Sequence, residues 1–507
     1  MRNVRMFFTL LLFLLGTVVY GQKKYEDNWE SLLKYETPEW FQDAKFGIFI
    51  HWGPTTVPGF MSEWYGYHMY RQDAAHAKGD PNAKPSPVYE YHLKNYGPIE
   101  EYGYTKFIPE FKAEQFDANE WVDLFVKAGA KYVVPVGEHC DGFAMYDSKV
   151  TRWNSVKMGP KQDIVGSIFK VARENGLKVG TSSHFAFGWH WWVYRPELET
   201  MDPKLKDFYG KPHDPWSEPS DEFVKLWYKR SMDLMEQYKP DLFWFDLGYS
   251  EPAYHDYGRK FMTNFYNMGL KNGKEVVMNY KNIKYKPVPD GAAVLDIESG
   301  KLDRINEQPW QTDMSLGGWR WGWTENYELR KTSEYINDFI DIVSKNGCLL
   351  LNVAPDKHGK IPQDQVNILL EMGEWLKVNG EGIYESRPFK VFGQGPTNAK
   401  MVLHGNIKDK GFTSQDFRFT QNGQNVYAYW LKPQAEQGTI TLRGFGTESH
   451  LVNDAIAEVT IMGHNDLDFK WIQSKDDLII TVPEEITKEQ NAIGFKIALE
   501  EAPNFIL

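Results

Sequence analysis

Six short apolar runs in this chain stop at side chains able to bind, attack or move a proton. KFGIFIHWG (45–53) reaches His51, KYVVPVGEHCDG (131–142) reaches His139 and LKVGTSSH (177–184) reaches His184. DLFWFD (241–246) closes on Asp246, AAVLDIE (292–298) on Glu298, and GCLLLNVAP (347–355) carries Asn352. Imidazoles and carboxylates gathered at one place serve two kinds of hydrolysis, one through a carboxylate nucleophile and one through a bound zinc ion. Zinc sites on such strands ordinarily open with His-x-His, whereas the first run here ends His51-Trp52-Gly53 and offers one ligand. No metal and no cofactor is therefore expected. A single aspartate after an apolar run also serves as a helix cap or turn residue, so the argument rests on several such ends meeting at one rim.

What would bring them to one rim is a parallel sheet. Near-continuous apolar runs mark strands covered by helices on both faces, and EVVMNY (275–280) adds a seventh. Helical patterns separate several of them: 117–130, 163–176 with its closing Gly176, 221–238 and 332–345. Strand–helix units repeated from residue 45 to 353 predict an α/β fold of the (β/α)8-like TIM barrel type, whose active sites lie at the C-terminal ends of the strands. A last helix is predicted over 364–380. After it the pattern changes to short alternating strands, QNVYAYWL (424–431), GTITLRGF (438–445), DLIITVP (477–483) and AIGFKIAL (492–499). These predict a C-terminal antiparallel β-sandwich, expected to brace the barrel, with glycan binding as the alternative role. The expected division is a signal peptide over 1–21, a catalytic barrel over 22–388 and the sandwich over 389–507.

Composition narrows the partners. A net charge of −12 gives no electrostatic reason to expect nucleic acid. Nineteen tryptophans supply flat faces that suit core packing and sugar rings alike. Arg2 and Arg5 precede MFFTLLLFLLGTVV (6–19), the layout of a secretory signal too short to favour a membrane span. No cysteine stands near the expected cleavage point to carry a lipid anchor, and the chain has only Cys140 and Cys348. A secreted or periplasmic protein of bacterial type, without a membrane anchor, fits these features.

Seven ordered motifs resemble the alpha-L-fucosidases of glycoside hydrolase family 29. They are WFQDAKFGIFIHWGP (40–54), SEWYGYHM (62–69), EHCDGFAMYDS (138–148), DLFWFD (241–246), PWQTDMSLGGWRWGW (309–323), GCLLLNVAPDKHGKIP (347–362) and WLKVNGEGIYESRP (375–388). The resemblance implies that Asp246 is the nucleophile of a retaining mechanism, attacking the anomeric carbon while a second carboxyl group protonates the leaving oxygen and then activates water. It also implies a sugar pocket drawing on His51, Trp52, Glu63, Trp64 and His139. Two departures stand out. The second of the family's two adjacent histidines is Cys140 here, and a glutamate common after the tryptophan of the Trp310 motif is Gln311, which cannot deliver a proton. The acid/base is then expected at Glu298, with Glu307 as the alternative and Glu63 behind them. Trp310, Trp319 and Trp321 are candidate walls that would raise the acid's pKa by burial.

His184 stands at a strand end where similar chains carry tyrosine, and is expected either to touch substrate or to be a satisfied rim residue. The run GWHWWVYRP (188–196) is a candidate aromatic subsite. The expected substrate is a fucosylated oligosaccharide or polysaccharide, with or without sulfate; Arg304 would either hold a carboxylate in position or meet such a sulfate. A silent glycan-binding protein and an alpha-L-galactosidase-like enzyme are the alternatives, the second because an apolar pocket rejects an added hydroxyl only weakly.

Overall fold

The computed structural model describes residues 24–71, 85–281, 285–398, 411–433, 438–452 and 455–500. The segment expected to be a signal peptide lies outside the described residues. Eight parallel strands close into a barrel in chain order: β1 Phe46–Ile50, β2 Tyr132–Glu138, β3 Lys178–Ser183, β4 Leu242–Phe245, β5 Val277–Tyr280, β6 Val294–Asp296, β7 Trp310–Ser315 and β8 Gly347–Val353. β8 pairs back onto β1, Phe46 opposite Leu349. Seven of the eight follow the apolar runs. The eighth, β7, is written WQTDMS and has no apolar run to announce it.

Each strand alternates between two environments, as its twofold period requires. On β4, Leu242 and Trp244 point inward with Phe49, Val134, Val277 and Leu350. Phe243 and Phe245 point outward, Phe243 against Phe261 and Phe245 against Trp227. The outer layer is made by helices α1 Ala118–Lys127, α2 Ile164–Glu174, α3 Asp221–Tyr238, α4 His255–Lys271, α5 Thr332–Ser344 and α6 Gln363–Asn379. The side chains of Asp117, Asp163 and Ser220 cap the first three by accepting from backbone N–H groups. No helix among the described residues is long and apolar enough to cross a membrane.

The tail forms two antiparallel sheets, one of five strands and one of three. They share one core, in which Phe419, Trp430 and Phe495 of the larger sheet meet Leu442, Leu478 and Ile480 of the smaller. The larger sheet begins at Arg387–Gln394, so the expected junction at 388/389 falls inside its first strand. Arg418 of this sheet forms a buried ion pair with Asp341 on α5, which also holds Lys345. The Trp375 indole of α6 donates to the Ala492 carbonyl. The sandwich is thereby keyed into the helix layer.

Candidate active site

Continuing each strand's alternation one step past its end names the site. Inward positions run Leu242–Trp244–Asp246, Val277–Asn279–Lys281, Val294–Asp296–Glu298 and Gln311–Asp313–Ser315. On β2 the same count would turn Glu138 inward, but the pairing register jumps between Val136/Ser182 and Glu138/Ser183. This bulge re-aims the strand end. Glu138 goes outward to a buried ion pair with Arg230 of α3, and His139 takes the inward place. A cavity of about 280 Å³ results, lined by His51, His139, His184, Asp246, Lys281, Glu298 and Asp313 from seven different strand ends, with Glu63, Trp64, Trp244 and Trp321 as walls.

Asp246 is held from two sides. His184 Nδ1 donates to Oδ2 at 2.9 Å, and His184 Nε2 accepts from the Ser182 hydroxyl at 2.9 Å. Oδ1 makes no hydrogen bond and lies 3.4 Å from the ammonium of Lys281. Burial works to raise the Asp246 pKa, but Lys281 and His184 more than offset it and hold the carboxyl well below its ordinary range. The Lys281 ammonium also lies 2.6 Å from Glu298 Oε2 and 3.3 Å from Asp313 Oδ2. Burial opposes its charge, yet Asp313, Glu298 and Asp246 together push its pKa well above normal. Legs of 3.4 and 2.6 Å from one ammonium leave Asp246 Oδ1 and Glu298 Oε2 at most 6.0 Å apart.

The histidines form a neutral face. His51 Nδ1 donates to Asn352 Oδ1 at 2.8 Å, and the Asn352 amide donates to the Trp321 carbonyl, which leaves His51 Nε2 an acceptor. Burial, reinforced by the neighbouring His184, keeps His51 well below its usual pKa and His139 down at about 3. The nitrogens of His51, His139 and His184 gather within 4.8 Å of one another, a grouping that could hold a metal ion. However, both nitrogens of His184 are already spent on Asp246 and Ser182, so the set does not fit a three-histidine site. Neutral imidazoles with one free nitrogen suit sugar hydroxyls instead. Glu63 closes the wall. Its Oε2 accepts from the Trp321 and Gly322 amides at 2.9 and 3.0 Å, and burial raises its pKa to about 7 despite them.

Several expected site residues lie elsewhere. Glu307 is exposed ahead of β7, its carbonyl accepting from Asn346, at the opposite end of the barrel from Asp246. It cannot reach the cavity. Trp310 opens β7 facing the helix layer, where its indole donates to Lys345 O. Trp52 packs on Phe111, Phe116 and Trp121 and donates to Asp356 O, outside the Asp246 cavity. Cys140 is buried and does not line the cavity, so its thiol does not take the place of the missing imidazole. Arg304 is exposed and pairs with its neighbour Asp303. Trp319 is exposed beside Arg320, and it is Trp321 that forms the wall. Lys281 and Asp313 are the charged cavity residues absent from the expected set, and Trp244 is a wall also absent from it. The alternation from Val277 pointed to the first, and recognition of WQTDMS as a strand would have pointed to the second.

Beneath the site, Gln311 links Tyr132 to Asp296: the Tyr132 hydroxyl donates to its oxygen and its amide donates to Asp296 Oδ2. Burial raises both Asp296 and Asp313, and Asp296 raises Asp313 further, as two adjacent carboxyls that share a proton would. Gln311 thus props the barrel interior and leaves proton transfer to others.

Residues 13–381 match the family model described as Alpha-L-fucosidase. The tissue alpha-L-fucosidase of Homo sapiens is 30% identical over 490 residues, covering 94% of this chain and 92% of that protein. The alpha-L-fucosidase of Dictyostelium discoideum is 30% identical over 77% of this chain and 80% of its own length. Among solved structures, the Thermotoga maritima alpha-fucosidase in complex with a mechanism-based inhibitor superposes with a TM-score of 0.72, at 28% identity, over 94% of this chain and all of that one.

Proposed function

The chain belongs to the alpha-L-fucosidase family of glycoside hydrolases, and on that premise we propose a retaining, exo-acting enzyme with Asp246 as nucleophile and Glu298 as acid/base. The observation that carries this reading is the Lys281 bridge. Retaining glycosidases place their two carboxyls about 5–5.5 Å apart and inverting ones about 6.5–9.5 Å, to leave room for a water. A limit of 6.0 Å between Asp246 Oδ1 and Glu298 Oε2 supports the first.

The steps follow from the geometry. The Asp246 carboxylate, held by His184 at Oδ2 and facing Lys281 at Oδ1, attacks the anomeric carbon. Glu298 gives its proton to the leaving oxygen, then takes one from the water that cleaves the glycosyl-enzyme. His51 and His139 meet ring hydroxyls, and the indoles of Trp64, Trp244 and Trp321 offer apolar surface to a fucose methyl group. A cavity of about 280 Å³ suits a single terminal sugar, which supports exo action. The basic and apolar N-terminus supports export to a compartment where glycans are met.

One observation favours a second assignment of the acid. Glu63 borders the cavity with a pKa near 7, where a general acid works best. The test is hydrolysis of an aryl alpha-L-fucoside by wild type, Asp246→Ala, Glu298→Gln and Glu63→Gln, with and without azide, the first product being followed by NMR. Wild type should release alpha-fucose before mutarotation and should be indifferent to chelators. Asp246→Ala should lose about 10⁴-fold or more in kcat, and Glu298→Gln should be rescued by azide as a fucosyl azide. Azide rescue of Glu63→Gln alone would move the acid role there. First release of beta-fucose would sink the retaining mechanism, and a silent wild type would leave a binding protein.

A further inference from the structure

A line of rings leads out of the cavity. Trp64, one of its walls, has its ring centroid 5.3 Å from that of Phe187; Phe187 lies 5.2 Å from His190; and His190 lies 6.4 Å from Trp216 with their planes 27° apart. Trp64 and Phe187 are half-buried, and Trp216 ends the line 42% exposed.

These rings are distinct from the packing beneath them. The tryptophans of the 188–196 run fill the core: Trp191 and Trp192 are buried, and Trp189 stacks on His213 at 3.5 Å with its indole donating to Ser217 O. The outer line lies over that layer: Trp64 and Phe187 keep part of their faces exposed, His190 is buried between them and Trp216, and Trp216 is exposed. His190 is fixed within it, since Nδ1 donates to the Pro215 carbonyl and Nε2 to Glu251 Oε1. Burial opposes the charged ring, but the hydrogen bonds to Glu251 and Pro215 raise its pKa above the usual value. It sits rigidly beside a carboxylate that is 26% exposed. Rings in a row with a fixed polar pair at their edge match a sugar chain, which presents C–H faces to stack and hydroxyls to pair.

We propose that Phe187 and Trp216, held in place by the buried His190 and continuing from Trp64, bind the leaving group, so that the preferred substrate carries its terminal fucose on an oligosaccharide of at least two further sugars. This rests on reading the Asp246 cavity as the fucose site. A cavity that accommodates one sugar leaves the rest of the substrate outside it, and this line is the surface that continues from its wall.

The test compares an aryl alpha-L-fucoside with fucosyl-lactoses of different linkage, using wild type, Trp216→Ala and Trp216→Phe. Wild type should cleave at least one trisaccharide. In Trp216→Ala the ratio of kcat/KM for that trisaccharide to kcat/KM for the aryl fucoside should fall roughly 3- to 10-fold, through KM, and Trp216→Phe should restore most of it. An unchanged ratio, or a wild type that cleaves the aryl fucoside and no trisaccharide, overturns the leaving-group site. Failure on the aryl fucoside itself would count instead against the fucosidase reading on which it rests. Trp216 is exposed, so loss of folding does not confuse the outcome.

Discussion

Lys281 sets the charge state of this site. Its ammonium touches Asp246, Glu298 and Asp313, and with His184 it is the reason the nucleophile stays ionised in a buried place. Lys281→Met should therefore do two things. It should lower kcat/KM about 100-fold, as loss of one preorganised charge does. It should also move the acidic limb of the kcat/KM profile to higher pH, because Asp246 without its cation protonates more readily. A pH–rate series on an aryl fucoside reads both, and an unmoved acidic limb would show that Lys281 does not govern the nucleophile. Neither Lys281 nor Asp313 was visible as a site residue beforehand. Each is a polar side chain one or two steps beyond, or within, a strand of weak apolar pattern, and only the neighbouring strands give it partners.

At the scale of elements, the bulge that ends β2 chooses which residue enters the cavity. Gly137 sits at the register jump, where a Cβ would come within 2.5 Å of Leu234 Cδ2 and 2.9 Å of Thr181 Oγ1. Gly137→Ala should press β2 away from β3 and α3, costing about 1–3 kcal/mol by overpacking and raising KM for the fucoside as His139 shifts. Urea unfolding and steady-state kinetics on the same preparation separate the two effects. Lost stability with unchanged KM would mean that the bulge does not aim His139. Backbone strain marks the other side of the cavity as well: Ser299, directly after Glu298, has φ 47°, and its amide is held by Asp313 O at 2.8 Å. A non-glycine residue in that region costs on the order of 1–3 kcal/mol and persists only where its surroundings demand it.

Taken whole, the molecule is a barrel whose helix layer is locked to a sandwich by charge as well as by apolar surface. Burial alone would raise the Asp341 pKa, but Arg418 and Lys345 outweigh it and lower it. A carboxyl with a depressed folded pKa stabilises above its unfolded pKa, and that contribution is lost as pH falls through the folded one. Arg418→Ala should cost about 3 kcal/mol near neutrality, since it strips a buried carboxylate of one partner. It should also flatten the acid dependence of stability, which urea midpoints at pH 2.5 and 7 would show, the lower one lying below the ordinary aspartate pKa; equal midpoint losses at both would argue against the ion pair as the cause. By itself the sequence determined the alternation of strands and helices, the sandwich after them, and Asp246 and Glu298 as inward-facing strand ends, because these follow from apolar periodicity over a few residues. Tertiary closure decided the rest. It turned Trp310 outward and put Glu307 at the far end of the barrel. It let a bulge exchange Glu138 for His139 and gathered three carboxylates around one lysine. Those outcomes depend on which strands are neighbours and in what register, and a local pattern carries no record of a partner a hundred residues away.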